Sequence, residues 1–323
     1  MSLSDFVEIC KLGEGAYSTV MKVRRKSDDK IYALKKVFLQ KLSKKEKENA
    51  LNEVRILASI SNPNIISYKE AFLIENPSAL CIIMEFADGG DLYQQITKHK
   101  KYGTTFPEGE VWEVLIGILK GLKHLHEMKI LHRDLKCANV FMTADGVVKL
   151  GDLNVSKVAK AGLVQTQTGT PYYASPEVWK DKPYDHRSDI WSLGCVLYEM
   201  IALSPPFTAS SMQQLCQRVL KGKYPAIPKK YSRDLATVVS TLLQVDPKKR
   251  PSCEQILHLP SVEEHLTDNE TREISQQLLQ TIKIPRGSMR QAKLPKAQYE
   301  EQKVEEVDEP DEDELSFNDR ERT

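Results

Sequence analysis

Charge of one sign, clustered cysteine and a long apolar run are all missing from this 323-residue chain. Lys and Arg number 46 against 45 Asp and Glu, a net of +1, so no global field selects nucleic acid or an anionic membrane as a partner. The six cysteines (Cys10, Cys81, Cys137, Cys195, Cys216, Cys253) lie far apart, with no CxxC pair and no His at ligand spacing. That argues against a zinc site or a disulfide framework and fits reduced thiols. The most apolar stretch, IWSLGCVLYEMIAL from Ile190 to Leu203, contains Glu199 and is shorter than the roughly 20 residues of a membrane span, so a buried central helix is expected there. The start, MSLSDFVEIC, lacks the basic end and apolar core of a secretion signal. A cytosolic or nuclear setting follows as an expectation, and no repeat of solenoid or propeller period is evident.

What is present changes character along the chain. From about Phe6 to Glu85, short β-branched and aromatic runs (STVMKV, IYALKKVF, LCIIMEF) read as strands. One helix interrupts them. Ser43-Lys44-Lys45-Glu46 has the form of a capping box, and Ala50, Leu51, Val54, Leu57 and Ala58 follow on one helical face. Beyond Glu85 the pattern is mostly helical, with Val111, Val114, Leu115, Ile118, Leu119, Leu122 and Leu125 at amphipathic spacing. The expected fold class is α+β in two lobes, a small β-rich N-lobe over about 6–85 and a larger, mainly helical C-lobe over about 88–266. A helical extension is expected over 267–283. The segment 284–323, with RGSMRQAKLPKAQ and then EEVDEPDEDE, cannot bury enough apolar surface to fold alone and reads as a disordered acidic tail. Two readings of that tail stand open: a solvated end, or a docking segment for a regulatory partner.

The chemistry-bearing residues recur at fixed intervals. Leu12-Gly13-Glu14-Gly15-Ala16-Tyr17-Ser18-Thr19-Val20 is a glycine-rich turn between two strands; such a turn lets backbone amides approach phosphates. Taken alone it reads more readily as a plain hairpin turn, and Ser18 stands where a third glycine is usual. In YALKKV the period of two puts Ala33 and Lys35 on one face, an apolar surface for a purine beside an ammonium for phosphates. Glu53, on the capped helix, is the candidate partner of Lys35. The block His132-Arg133-Asp134-Leu135-Lys136-Cys137-Ala138-Asn139 supplies a carboxylate base, a cation two residues on and a metal-binding amide five residues on.

With these motifs in order, IIMEFADGGDL standing before HRDLKCAN and GDLN, GTPYYASPE, SDIWSLGCVLYEM and DPKKRPS after it, the chain resembles a eukaryotic protein kinase from about Phe6 to Leu266. Within that family it resembles the NIMA-related serine/threonine kinases. The resemblance implies a bilobal protein kinase fold and transfer of the γ-phosphoryl group of ATP to Ser or Thr hydroxyls of protein substrates. It makes Asp134 and Lys136 the catalytic pair. Asn139 and Asp152 become the ligands of Mg²⁺, with Mn²⁺ as the alternative metal. Lys35, held by Glu53, would reach the α- and β-phosphates. Leu12, Val20 and Ala33 would cover the adenine, with Met84 as gatekeeper and Glu85, Phe86 and Ala87 as the linker that reads the purine edge. Glu177 and Arg250 resemble the buried pair that anchors the activation segment, and Asp189 the acid that ties down the HRD loop.

Thr166 best matches the activating phosphorylation position, with Thr168 second and Thr170 near Asp134 and Lys136; Arg133 and Lys157 are the cations a phosphate would meet. The subfamily implies work at the cell cycle, microtubules, centrosome or cilium. In Gly151-Asp152-Leu153-Asn154 the usual Asp-Phe-Gly is altered at two positions. Leu153 is expected to pack as the aromatic would, and Asn154 to stiffen the hinge because Asn tolerates left-handed backbone less freely than Gly. The competing reading is a pseudokinase scaffold that binds nucleotide without efficient catalysis.

Overall fold

The computed structural model describes residues 2–15, 17–75, 78–152, 171–267 and 298. Leu153, Asn154, Lys157, Thr166, Thr168, Thr170, Ala16 and the side chain of Glu53 lie outside the described residues, as does nearly all of the expected extension and tail.

Alternating apolar residues in the first third of the chain build a five-stranded antiparallel sheet. Its strands are β1 (Phe6–Glu14), β2 (Ser18–Arg25), β3 (Ile31–Phe38), β4 (Tyr68–Glu75) and β5 (Ser78–Glu85), in the order β1-β2-β3-β5-β4. Both faces of β5 are covered. Cys81 and Ile83 join Phe6, Val23, Leu34 and Phe72 on one side, while Leu80 and Ile82 pack with Val54, Tyr68 and Ala71 on the other. Val54 comes from α1 (Lys44–Ser59), whose Ser43 capping box forms as its sequence indicates: the Ser43 N–H donates to Glu46 at 2.8 Å and the Glu46 N–H returns to the Ser43 hydroxyl. Because Leu34 is fully buried in the outer cluster, its neighbours Ala33 and Lys35 face the opposite side.

The second lobe is mainly helical, so the expected bilobal α+β architecture is what the chain adopts. It comprises α2 (Leu92–Tyr102), α3 (Glu108–Glu127), the short strands β6 (Val140–Met142) and β7 (Val148–Leu150), α4 (Pro176–Trp179), α5 (His186–Ala202), α6 (Met212–Lys221), α7 (Arg233–Leu242), α8 (Cys253–Leu257) and α9 (Pro260–Glu263). All seven apolar positions read on α3 are buried, and α5 is buried from Ser188 to Ile201, the central helix anticipated for IWSLGCVLYEMIAL. No described helix is long and apolar enough to cross a membrane, and all six cysteines are free thiols. The linker after β5 is seated on β6 by a close backbone approach. The Gly89 N–H donates to the Met142 carbonyl at 2.8 Å, and a Cβ on Gly89 would stand 2.7 Å from that oxygen.

Candidate active site

The β6–β7 hairpin is what assembles the polar cluster between the lobes. Val140 pairs with Leu150, so Asn139, one residue before β6, lies beside Gly151, one residue after β7. The Gly151 N–H donates to the Asn139 carbonyl at 3.0 Å. Residues far apart in sequence, HRDLKCAN and GDLN, therefore end on the two arms of one hairpin.

Around Asp134 the hydrogen bonds are dense. Lys136 Nζ donates to Asp134 Oδ2 at 3.0 Å, and Asn139 Nδ2 donates to the same oxygen at 3.1 Å and to the Asp134 carbonyl at 2.8 Å. A carboxylate held by two donors keeps one orientation while staying able to accept a proton. The Asn139 NH₂ group is spent on Asp134, which leaves Oδ1 as the amide's acceptor. Across the hairpin, Lys35 Nζ donates to Asp152 Oδ1 at 2.7 Å, and the Asp152 side chain remains 44 % exposed. The Lys35 charge lowers the Asp152 carboxyl below the usual carboxylate range, outweighing the upward push of burial, with Lys136 and His132 adding to the effect. Arg133 and Asp152 both hold left-handed backbone, φ +64° and +50°, a strain of about 1–3 kcal/mol each that surrounding structure must hold in place.

At Arg133, Asp189 supplies that hold. This fully buried acid on α5 accepts the N–H of His132 at 3.1 Å and of Arg133 at 3.0 Å, His126 Nε2 at 2.8 Å and the Tyr184 hydroxyl at 2.5 Å. Burial pushes its carboxyl up, but the hydrogen bond and charge of His126, with His132 and Tyr184, bring it below the ordinary value. His132 is wholly buried, which lowers its imidazole pKa, and its Nε2 has no partner among the described residues. Arg133 lies over the Tyr184 ring at 5.7 Å.

The remaining anchors lie deeper. Arg250 grips Glu177 through two bonds, at 2.7 and 2.8 Å, and both side chains are buried, which is the pairing expected from SPE and KKRPS. Tyr173 donates to the buried Glu199 at 2.5 Å, fixing the segment before α4 to α5.

On the other side of the cleft, the register places Val20 opposite Lys35 and Ala33 opposite Met84. Leu12 is about half exposed, and Gly13, Glu14, Ser18 and Thr19 close the β1–β2 turn, with the Gly15 N–H donating to the Ser18 carbonyl at 2.7 Å and Tyr17 reaching Phe38 through its carbonyl. The linker is more constrained than its sequence suggests. The Glu85 side chain turns away to Ser67 at 3.0 Å and Lys149 at 2.8 Å, and the Glu85 N–H is already taken by the Ser67 carbonyl, so a purine donor must come from a later residue such as Ala87. Phe141, which sequence reasoning missed, belongs to the same cleft: its ring packs so closely on Gly151 that a Cβ there would lie 2.6 Å from it. Its only sequence signal is its place two residues beyond Asn139.

The donor set fits a hard cation: one carboxylate oxygen of Asp152 and the amide oxygen of Asn139. Among the described residues no three acidic, His or Cys side chains are grouped to hold a metal ion.

Residues 6–262 match the family model described as protein kinase domain. Among curated proteins, "Probable serine/threonine-protein kinase nek3" of Dictyostelium discoideum is 41 % identical over 270 residues, 82 % of this chain and 24 % of that protein. "Serine/threonine-protein kinase Nek1" of Mus musculus is 39 % identical over 257 residues, 79 % of this chain and 21 % of its own length. "Serine/threonine-protein kinase Nek2" of Homo sapiens is 37 % identical over 277 residues, 84 % of this chain and 62 % of that protein. The chain thus spans less than two thirds of each of these relatives.

Proposed function

The chain belongs to the protein kinase family, in its NIMA-related branch, and from that premise we propose that it is a protein serine/threonine kinase using ATP. The observation that carries the reading is the pairing of an oriented base with a phosphate-facing cation. Asp134 is held by Lys136 and Asn139 on one arm of the hairpin, and Lys35 by Asp152 on the other.

Phosphoryl transfer asks a protein chiefly for alignment and neutralisation of charge. Asp134 orients the acceptor hydroxyl and takes its proton as the oxygen bonds to the γ-phosphorus. The bond from that phosphorus to the β–γ bridging oxygen breaks, and ADP departs. Lys136 balances the charge on the transferring group, and Lys35 holds the α- and β-phosphates. Bound Mg²⁺ on Asn139 and Asp152, or Mn²⁺ in its place, would neutralise the phosphate oxygens and hold them for in-line attack. Ser and Thr are favoured over Tyr by Lys136 and by the GTPYY run ending at Tyr173. Phosphorylation of Thr166, with Thr168 as second candidate, would add about −1.5 to −2 charge for the cations Arg133 and Lys157 to meet. A setting at microtubules, centrosome or cilium rests on the NIMA-related likeness alone.

The test is phosphoamino-acid analysis of a mixed Ser/Thr/Tyr peptide library incubated with γ-labelled ATP and Mg²⁺. Label on Ser and Thr is expected; label confined to Tyr, or nucleotide binding without any transfer, would contradict the proposal, the latter favouring the scaffold reading. Thr166→Ala, purified without phosphate, should turn over slowly; wild-type turnover would remove Thr166 as the switch.

A further inference from the structure

Two backbone acceptors on the outer side of the smaller lobe are left over by their own elements. The last turn of α1 has carbonyls without intrahelical donors. Ile56 is met by the Ser59 hydroxyl at 2.7 Å and Leu57 by the Ile60 N–H at 3.3 Å, and Ala58 is the next in line. Lys69 lies on β4, the edge strand, where the register with β5 jumps from Tyr68↔Met84 to Glu70↔Ile83. The ladder therefore passes over Lys69, and an edge strand offers such groups to any chain that approaches.

One residue from the far end of the sequence supplies both donors. The Gln298 N–H donates to the Lys69 carbonyl at 2.6 Å, and Gln298 Nε2 donates to the Ala58 carbonyl at 3.1 Å. Gln298 also lines the groove behind the linker, with Ile60, Pro63, Tyr68 and Phe86. The groove is bordered by Lys30 and Lys69, and the run that starts at Glu300 is acidic, so the charges are opposite in sign. Some thirty residues separate Leu266 from Gln298, a reach of up to about 100 Å when extended, so chain length does not restrict the return.

We propose that the chain beyond the catalytic domain docks in cis on the α1–β4 junction through Gln298. This clasp ties the end of α1, the helix that carries Glu53, to the edge of the sheet. It turns an acidic tail into a brace on α1, and it stands independently of the catalytic reading.

The test is hydrogen–deuterium exchange on the full chain, comparing wild type with Gln298→Pro, which removes both the N–H and the side-chain amide. Gln302→Pro, in the same tail, is the control. Loss of two hydrogen bonds should speed exchange about tenfold, both in the peptide spanning residue 298 and across the α1–β4 junction. Gln302→Pro should leave both at wild-type rates. Equal exchange in wild type and Gln298→Pro would overturn the clasp, and protection that rises with protein concentration would overturn docking in cis in favour of docking between copies.

Discussion

Arg250→Met should unfold this protein at a markedly lower temperature, and the structure gives the reason and the size. Arg250 and Glu177 are 3 % and 6 % exposed and share two hydrogen bonds at 2.7 and 2.8 Å. Arg250 also donates to the carbonyls of Gln244, Arg187 and Val245, while Ser188 adds a bond to Glu177. Removing the guanidinium leaves a carboxylate buried with one hydroxyl donor, a situation worth about 3–5 kcal/mol. At about 2–4 °C per kcal/mol for a domain of this size, the melting midpoint should fall by about 6–20 °C near pH 7. The pH dependence has a definite sign. Burial pushes the Glu177 carboxyl up, but the bonds and charge of Arg250, with Ser188, leave it below the ordinary value. A depressed carboxyl contributes stability that is whole above the unfolded pKa of about 4.3 and lost as pH falls toward the folded value. The wild-type advantage over Arg250→Met should therefore shrink as pH drops below about 4. Glu177→Gln combined with Arg250→Met should recover part of the loss, because no charge is then stranded. Circular dichroism melts of the three proteins provide the assay; an Arg250→Met midpoint within about 2 °C of wild type would refute the reasoning.

Three further outcomes follow from the site. Lys35→Met should lower kcat by about 10²–10³-fold with an unchanged far-ultraviolet spectrum, as read by label transfer to a generic protein substrate. Phe141→Ala, by stripping the ring that packs on Gly151, should cost about 1–3 kcal/mol in urea unfolding; an unchanged midpoint would mean that the ring does not hold the hairpin. His126→Phe removes one of the four donors to Asp189 and should cost about 1–3 kcal/mol in urea unfolding; no shift in midpoint would mean that Asp189 is held by Tyr184 and the backbone alone.

Patterns that repeat were legible before any coordinates. Ala33 and Lys35 face one way because strands alternate, the Ser43 cap is a local four-residue motif, and the apolar stripe of α3 and the continuous run of α5 each carry their own period. The Glu177–Arg250 pair was legible only through the resemblance of two distant motifs. What escaped are single long-range contacts with no period of their own. His126 and Tyr184 reach Asp189 from separate elements, Glu85 turns to Ser67 and Lys149, and Phe141 closes on Gly151. Gln298 is the extreme case, a polar residue in a stretch whose composition argues for no structure, yet it makes two bonds to the smaller lobe. Composition reports whether a segment can fold alone; it is silent on whether another part of the chain offers it acceptors.

The central claim is that Asp134, held by Lys136 and Asn139, is the base of a phosphoryl transfer. Asp134→Asn keeps the shape of the side chain and one acceptor oxygen but cannot take up the hydroxyl proton. The initial rate of label transfer from γ-labelled ATP with Mg²⁺ to a Ser-containing protein substrate should fall by about 10²–10⁴-fold while ATP still binds. Equal rates for Asp134→Asn and wild type would contradict the account.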